Sequence, residues 1–282
     1  MRYRAEIDGL RAMSVIGVIV FHADLVFSGI SLFPGGYLGV NILFVISGYL
    51  ISSILLSNLD AGTISFPSFY MRRVRRILPA LHLVLGISTA TALALLPSDS
   101  LVEFSKSTVS ALFFVANAYS WLSQGDFSEA AELSTLWHVW SLSVEEQFYL
   151  AYPLLLVAAY GMNRRYLRWV LPAVAALSLI SAFLLQRLRP DAVFYLASFR
   201  ASELLSGALV VIIHRRGKGN GLRSWPGLVS CLGSAIVLSC FVLGHLDGAS
   251  GYAFTVLSVF GACLVLLSDR ESYFASRVQG RG

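Results

Sequence analysis

Charge is what this sequence has least of. Only 13% of its 282 residues are Asp, Glu, Lys or Arg, where soluble domains carry roughly 25%. A surface so poor in charge does not face water all round, and 56% hydrophobic residues with a mean hydropathy of +0.72 agree. The composition excludes an ordinary soluble enzyme and predicts a polytopic membrane protein. Cysteine is scarce too. Cys231, Cys240 and Cys263 stand in apolar stretches without C-x-x-C or metal-ligand spacing. That excludes a disulfide framework or a zinc site and leaves small packing residues; no metal is expected. The basic N-terminus lacks a small-residue cleavage site and its apolar run is too long for a signal peptide, so it is expected to stay attached as a spanning helix. No linker, low-complexity tract or soluble domain is legible, and the tail Asp269–Gly282 is expected to be too short to fold alone. The formal charge of +5 reads as basic residues held on the cytoplasmic side, with no nucleic-acid partner.

What the chain has instead is apolar segments, at about 12–30, 35–57, 77–97, 107–122, 139–160, 169–187, 199–213, 225–244 and 251–267. If all of them crossed, the basic stretch Asn163–Arg168 would face the side opposite Met1–Arg11, against the positive-inside rule. Segment 107–122 is the weakest, interrupted by Asn117 and followed by the polar run Ser123–Ser134. Reading it as a re-entrant or interfacial helix leaves about eight spans. That choice puts 17 of the 21 lysines and arginines inside, with Lys106, Arg187, Arg189 and Arg200 outside. The expected fold is all-α: a multi-pass bundle among membrane lipids, both termini cytoplasmic, with residues 107–137 roofing an outward-facing vestibule.

The first segment, read as a helix from Leu10 to about Ile30, carries Arg11 and His22. Eleven residues at ~100° each make three turns plus roughly 20°, so the two share a face about 16 Å apart. A histidine halfway along an apolar span is costly unless it has work to do. Its ordinary pKa of about 6.5 suits proton abstraction from a hydroxyl. An arginine at the membrane surface and a base near the midplane suit an anionic ligand with a long arm. Asp24 cannot share that helical face, so an orienting carboxylate must come from elsewhere. The glycines of Gly35-Gly36-Tyr37-Leu38-Gly39 and Gly48 predict close helix contacts.

Arg72, Arg73, Arg75 and Arg76 enter the third segment together. Topology and anionic headgroups alone account for such a cluster. The functional reading is a phosphate clamp of Arg73 and Arg76, one turn apart, with Arg72 beside them. The densest polar cluster inside an apolar segment runs from Leu136 to Tyr149. Glu145 falls seven residues after His138, close to its helical face, while Glu146 points about 100° away and is placed to pair with an arginine. A structural ion pair is the competing explanation. Arg200 and Glu203 read as a local ion pair or as lining of an acceptor path. His82, His214 and His245 read as structural.

Taken in order, Arg4 to His22, the Gly35–Ile51 run, Tyr70 to Pro79 and Trp140 to Tyr149 resemble the acyltransferase-3 family of membrane O-acyltransferases. The resemblance covers essentially the whole chain as one transmembrane domain, 1–282. It implies an acyl-CoA donor, usually acetyl-CoA, at the cytoplasmic face of a bacterial inner membrane. The implied acceptor is a carbohydrate or glycolipid hydroxyl of the envelope, as in lipopolysaccharide or exopolysaccharide. It implies that Arg11 and His22 are required, as are Arg73 and Arg76, which with Arg72 fit the reading of arginines on the CoA phosphates; Glu145 is expected from its position to belong with the catalytic groups. Glu146, His138, Trp140, Ser143, Arg200 and Glu203 are expected to support the site or its acceptor path. His22 either activates the acceptor or carries the acyl group, and the sequence leaves both open. Asn41 stands where the family usually has Asp, so no carboxylate role is carried over. The chain stops at Gly282 without the family's late S-Y-x-x-Y-L-W-H-like motif, so the last two helices and the esterase-like domain of some members are expected to be missing. The alternatives are a glycan transporter or flippase, against which stands the lack of an internal repeat, and an inactive truncated homologue. Trp121, Trp137 and Trp140 suit either sugar stacking or an interfacial belt.

Overall fold

A computed structural model describes residues 4–28, 30–123, 136–162, 164–215, 225–244 and 248–268. Helices dominate them: α1 Ala5–His22, α2 Gly39–Asp60, α3 Phe66–Leu95, α4 Ser98–Leu112, α5 Ala116–Ser123, α6 Val139–Met162, α7 Arg164–Leu185, α8 Pro190–Tyr195, α9 Ala197–Arg215, α10 Pro226–Leu243 and α11 Gly248–Leu267. The exceptions are a short antiparallel hairpin, β1 Val26–Phe27 with β2 Ile30–Ser31, and a 3-10 turn at Gly36–Leu38. Five stretches among the described residues are long and apolar enough to cross a membrane: Gly36–Asp60, Phe66–Leu95, Tyr166–Leu185, Pro190–Arg215 and Pro226–Leu243; Gly251–Leu267 is apolar but shorter. Leu83, Ile87, Leu93, Leu177 and Phe183 point outward from these helices, as lipid-facing side chains must. The chain is a multi-pass, helical membrane protein.

The chain divides into two compact units. The first comprises Met1–Ile54, Leu155–Pro190 and Ser198–Gly282. Its core holds Leu38, Ile42, Phe44, Val45, Leu204, Phe241 and Leu266. Within it α2 and α9 touch backbone to backbone. A Cβ at Gly48 would run into the Leu204 carbonyl oxygen, and one at Gly207 into that of Val45. Only glycine permits such an approach.

The second unit comprises Leu55–Leu154 and Asp191–Ala197. Leu81, Leu85 and Ala92 of α3 close on Phe104 and Ala111 of α4, Ala116 of α5 and Leu136. Ser65 caps α3, its hydroxyl accepting the Ser68 N–H, and Pro67 takes the first turn, where a missing N–H costs nothing. The helix then runs on through Pro79.

Three segments depart from the sequence expectation. The first helix stops at His22, well short of Ile30: the Asp24 N–H turns back to the Phe21 carbonyl with φ of 44°, and the hairpin follows. An apolar run does not say where the backbone turns, and aspartate tolerates the left-handed region better than most residues. His22 is therefore at a helix end, not halfway along. The third helix starts earlier than expected, at Phe66, which places all four arginines inside it. Segment 107–122 is two helices, α4 and α5, broken at Phe114, whose φ is 54°. The Gln147 amide donates to the Phe114 carbonyl at 2.9 Å and secures the break. Residues 124–135, His245, Lys218, Arg223 and both chain ends, on which part of the topology reading fell, lie outside the described residues.

Candidate active site

In the first unit the glycines after the hairpin build a seat for α1. A Cβ at Gly36 would strike the Gly17 carbonyl oxygen and crowd Phe21, and one at Gly39 would strike the Ser14 carbonyl. The Gly35 N–H donates to the Phe241 carbonyl at 2.9 Å, tying the same turn to α10. Phe21, resting 5.6 Å from the Tyr37 ring, in turn meets the His22 imidazole edge-on at 5.1 Å. The imidazole is exposed, and its Nδ1 lies 2.8 Å from the Val18 carbonyl oxygen. A carbonyl only accepts, so Nδ1 carries the hydrogen and Nε2 the lone pair. Backbone geometry thus selects the tautomer of a base.

Arg11 stands three turns back on the same face of α1. Its guanidinium meets Asp8 at 3.5 Å, with side chains 38% and 49% exposed. Pairs of this kind contribute about 0–1 kcal/mol, so a ligand phosphate competes easily with Asp8.

Arg200 and Glu203 do form the expected ion pair, at 2.8 Å, but inside the protein, at 8% and 4% exposure. Arg200 also donates to the Asn41 oxygen at 3.3 Å, and Asn41 donates to Thr255 at 3.4 Å. Sequence reasoning missed Asn41 as a partner of Arg200, since 159 residues separate them. It also missed Arg4, which donates to the Tyr49 hydroxyl at 2.6 Å and the Leu266 carbonyl at 3.0 Å. His214 meets Tyr49 edge-on at 6.2 Å, in keeping with a structural histidine.

In the second unit the four arginines do not behave alike. Arg72 bonds Ser68 and is exposed, as are Arg75 and Arg76. Arg73 is half-buried, its guanidinium 4.6 Å from the Tyr149 ring centre and 5.9 Å from that of Phe69. The Tyr149 hydroxyl donates to Glu145 at 3.3 Å. Glu146 buries one carboxylate oxygen without a hydrogen-bond partner among the described residues. His138 lies in the turn before α6, so it shares no helical face with Glu145. A turn breaks the 100° periodicity on which that expectation relied.

Trp140 is 7% exposed, packed at 4.8 Å from the Phe194 ring and 5.5 Å from the Tyr195 ring. The Trp137 indole donates to the Tyr195 hydroxyl at 2.7 Å. Ser143 is fully buried and accepts the Ala116 N–H at 3.2 Å. Trp140 and Ser143 thus frame α6 from inside. Along α4 and α5 runs an open groove of about 690 Å³, apolar save for Ser105, Ser110, Lys106 and Tyr119. At its rim Glu103 accepts from both Lys106 and the Tyr119 hydroxyl. Those bonds, Lys106 first, hold the Glu103 carboxyl below the usual range. Burial, then Glu103, pushes Tyr119 up to about 12.

The acyltransferase domain model matches residues 4–277. The chain belongs to the acyltransferase-3 family. Among its relatives is a Staphylococcus aureus (strain MSSA476) protein provisionally named an O-acetyltransferase, 35% identical over 218 residues, 76% of this chain and 35% of the relative. Another is the O-acetyltransferase OatA of S. aureus (strain NCTC 8325 / PS 47), 30% identical over 260 residues, 89% of this chain and 39% of OatA. The chain thus spans 35–39% of the length of these relatives. No solved structure matches it significantly. Arg11, His22, the α3 arginines and the Glu145–Glu146 pair all fall inside this acyltransferase-3 match.

Proposed function

We propose that the chain is an O-acyltransferase of the bacterial inner membrane, with both termini cytoplasmic, that moves an acetyl group from acetyl-CoA to a hydroxyl of an envelope or extracellular glycan. The carrying observation is α1: an exposed histidine whose Nδ1 is tied to Val18, and a partly exposed arginine on the same helical face. The rise between them, about 16 Å, is comparable to the pantetheine arm that separates a thioester from its phosphates. The names of the relatives support acetyl as the group moved.

In this mechanism Arg11 holds anionic groups of the donor. His22 Nε2 takes the proton of the acceptor hydroxyl, and the oxygen attacks the thioester carbonyl carbon. The carbon–sulfur bond breaks as the tetrahedral intermediate collapses. The CoA thiolate then takes the proton back from the imidazolium, so no metal or redox partner is needed.

Acetyl-CoA binding by the purified chain in detergent, wild type beside Arg11→Ala, tests this reading. Saturable binding weakened about tenfold by the mutation is expected for the loss of one charge-assisted contact. Equal affinity in both proteins would remove Arg11 from the donor site, and absence of binding would contradict the transferase itself.

A further inference from the structure

Neighbouring side chains on a helix point about 100° apart and ordinarily do not meet. Phe21 and His22 are an exception: their ring centres lie 5.1 Å apart with the planes at 89°, an edge-to-face contact. The loop beyond the hairpin braces Phe21. A Cβ at Gly36 would crowd the Phe21 Cβ, so the loop backbone lies directly against this side chain. The next residue, Tyr37, brings its ring to 5.6 Å from the Phe21 ring. Both aromatic side chains are half-buried, whereas the imidazole is exposed. The Phe21 carbonyl accepts the Asp24 N–H where α1 ends, which fixes the backbone under the ring. The Nδ1 bond to Val18 selects the nitrogen that acts as base. A hydrogen bond at an exposed position is a weak hold, and the Phe21 ring supplies a second one.

We propose that Phe21 is a positioning residue for His22, and that Tyr37 serves the reaction through Phe21 alone. The loop ring braces the helix ring, and the helix ring keeps the imidazole against Val18 with Nε2 aimed one way. The inference rests on the reading of His22 as general base above. Aim matters to a base, since a displacement of about 1 Å costs on the order of 10²-fold in rate. Neither ring carries a charge for the donor's phosphates, so their loss falls on kcat and spares KM for acetyl-CoA.

Two readouts on the full chain in detergent test the brace. The first is nitrogen NMR of the 15N-histidine-labelled protein at about pH 9, where imidazoles are neutral and the two ring nitrogens are distinct. The His22 signals are those that vanish in His22→Ala. Wild type and Phe21→Tyr, which keeps the ring, are expected to show the hydrogen on Nδ1, while Phe21→Leu shows a mixture of both tautomers. The second readout is CoA release from acetyl-CoA with water as the acceptor. Phe21→Leu is expected to lower kcat about 10- to 100-fold with KM within about twofold, and Phe21→Tyr to stay within about threefold of wild type. Tyr37→Leu loses less, about fivefold, and the Phe21→Leu/Tyr37→Leu double variant loses no more than Phe21→Leu, because Tyr37 has nothing left to brace. Losses that multiply in the double variant would give Tyr37 a role of its own and overturn the relay. A raised KM with unchanged kcat in Phe21→Leu would make Phe21 a donor contact, and an unmoved His22 signal would overturn the brace. A wild type that releases no CoA contradicts the general-base reading, while the tautomer signal still decides the brace: moved by Phe21→Leu it upholds it, unmoved it sinks it.

Discussion

Arg11 with His22 and Arg200 with Glu203 belong to the same compact unit, and both sets put ionisable groups on apolar helices. Their surroundings are opposite. Arg200 and Glu203 are sealed in at 8% and 4% exposure and wired to Asn41, and through it to Thr255. Arg11 meets Asp8 and His22 meets the Val18 carbonyl, both on their own helix, and the His22 imidazole is exposed. A sealed pair is screened from solvent and bound chiefly to its own neighbours. An accessible pair, oriented by local bonds, keeps its electrostatics for something that arrives. Arg200 and Glu203, expected as a local ion pair or as lining of an acceptor path, form a buried ion pair.

Breaking the sealed pair should have the larger effect on the fold. Arg200→Ala leaves Glu203 buried without its counter-charge, which is expected to cost about 3–5 kcal/mol and to lower the unfolding temperature in detergent steeply. An Arg200→Met/Glu203→Leu double variant should recover most of that loss. Unchanged thermal stability in Arg200→Ala would erase the contrast between the two sets. Breaking the accessible pair should spare the fold: Arg11→Ala keeps the wild-type unfolding temperature within about 1–2 °C, because an exposed pair contributes about 0–1 kcal/mol. Its expected signature is the tenfold weaker acetyl-CoA binding described above.

The smallest effect belongs to the rim of the α4–α5 groove. Glu103→Gln should bring the Tyr119 titration down from about 12 toward the ordinary range, read as phenolate absorbance against pH. The raised Tyr119 pKa contributes stability that is complete below the ordinary tyrosine pKa and is lost as pH rises through about 12. Removing Glu103 should move that loss to lower pH. An unmoved titration would leave burial as the sole cause.

Much of this was legible in the residues themselves. The eleven-residue interval from Arg11 to His22 keeps its helical face in the structure, because α1 is continuous from Ala5 to His22. Glycines 36, 39 and 48 make the close contacts their small size suggested. What hydropathy does not carry is where a helix stops: residues 12–30 stay apolar while the backbone turns at Asp24. Nor does it carry long-range pairing, as between Asn41 and Arg200. The inward turn of Arg73 left a faint signal, the i, i+4 spacing from Phe69, but the Tyr149 ring beside it comes from another helix. His138 was misjudged for a local reason: the residues before Val139 form a turn, so counting by helical angle fails there.

The account turns on His22, and the most direct measurement is the fate of radiolabelled acetyl-CoA with wild type and His22→Ala, quenched in acid and separated into protein, acceptor and thiol fractions. The account predicts that wild type passes label to a glycan hydroxyl with none left on the protein. It also predicts that His22→Ala, with unchanged acetyl-CoA affinity, transfers at least about 10²–10⁴-fold more slowly. Label retained on wild-type protein but not on His22→Ala would replace the base with an acyl-histidine. Equal transfer by both proteins would contradict the claim that this imidazole carries the chemistry.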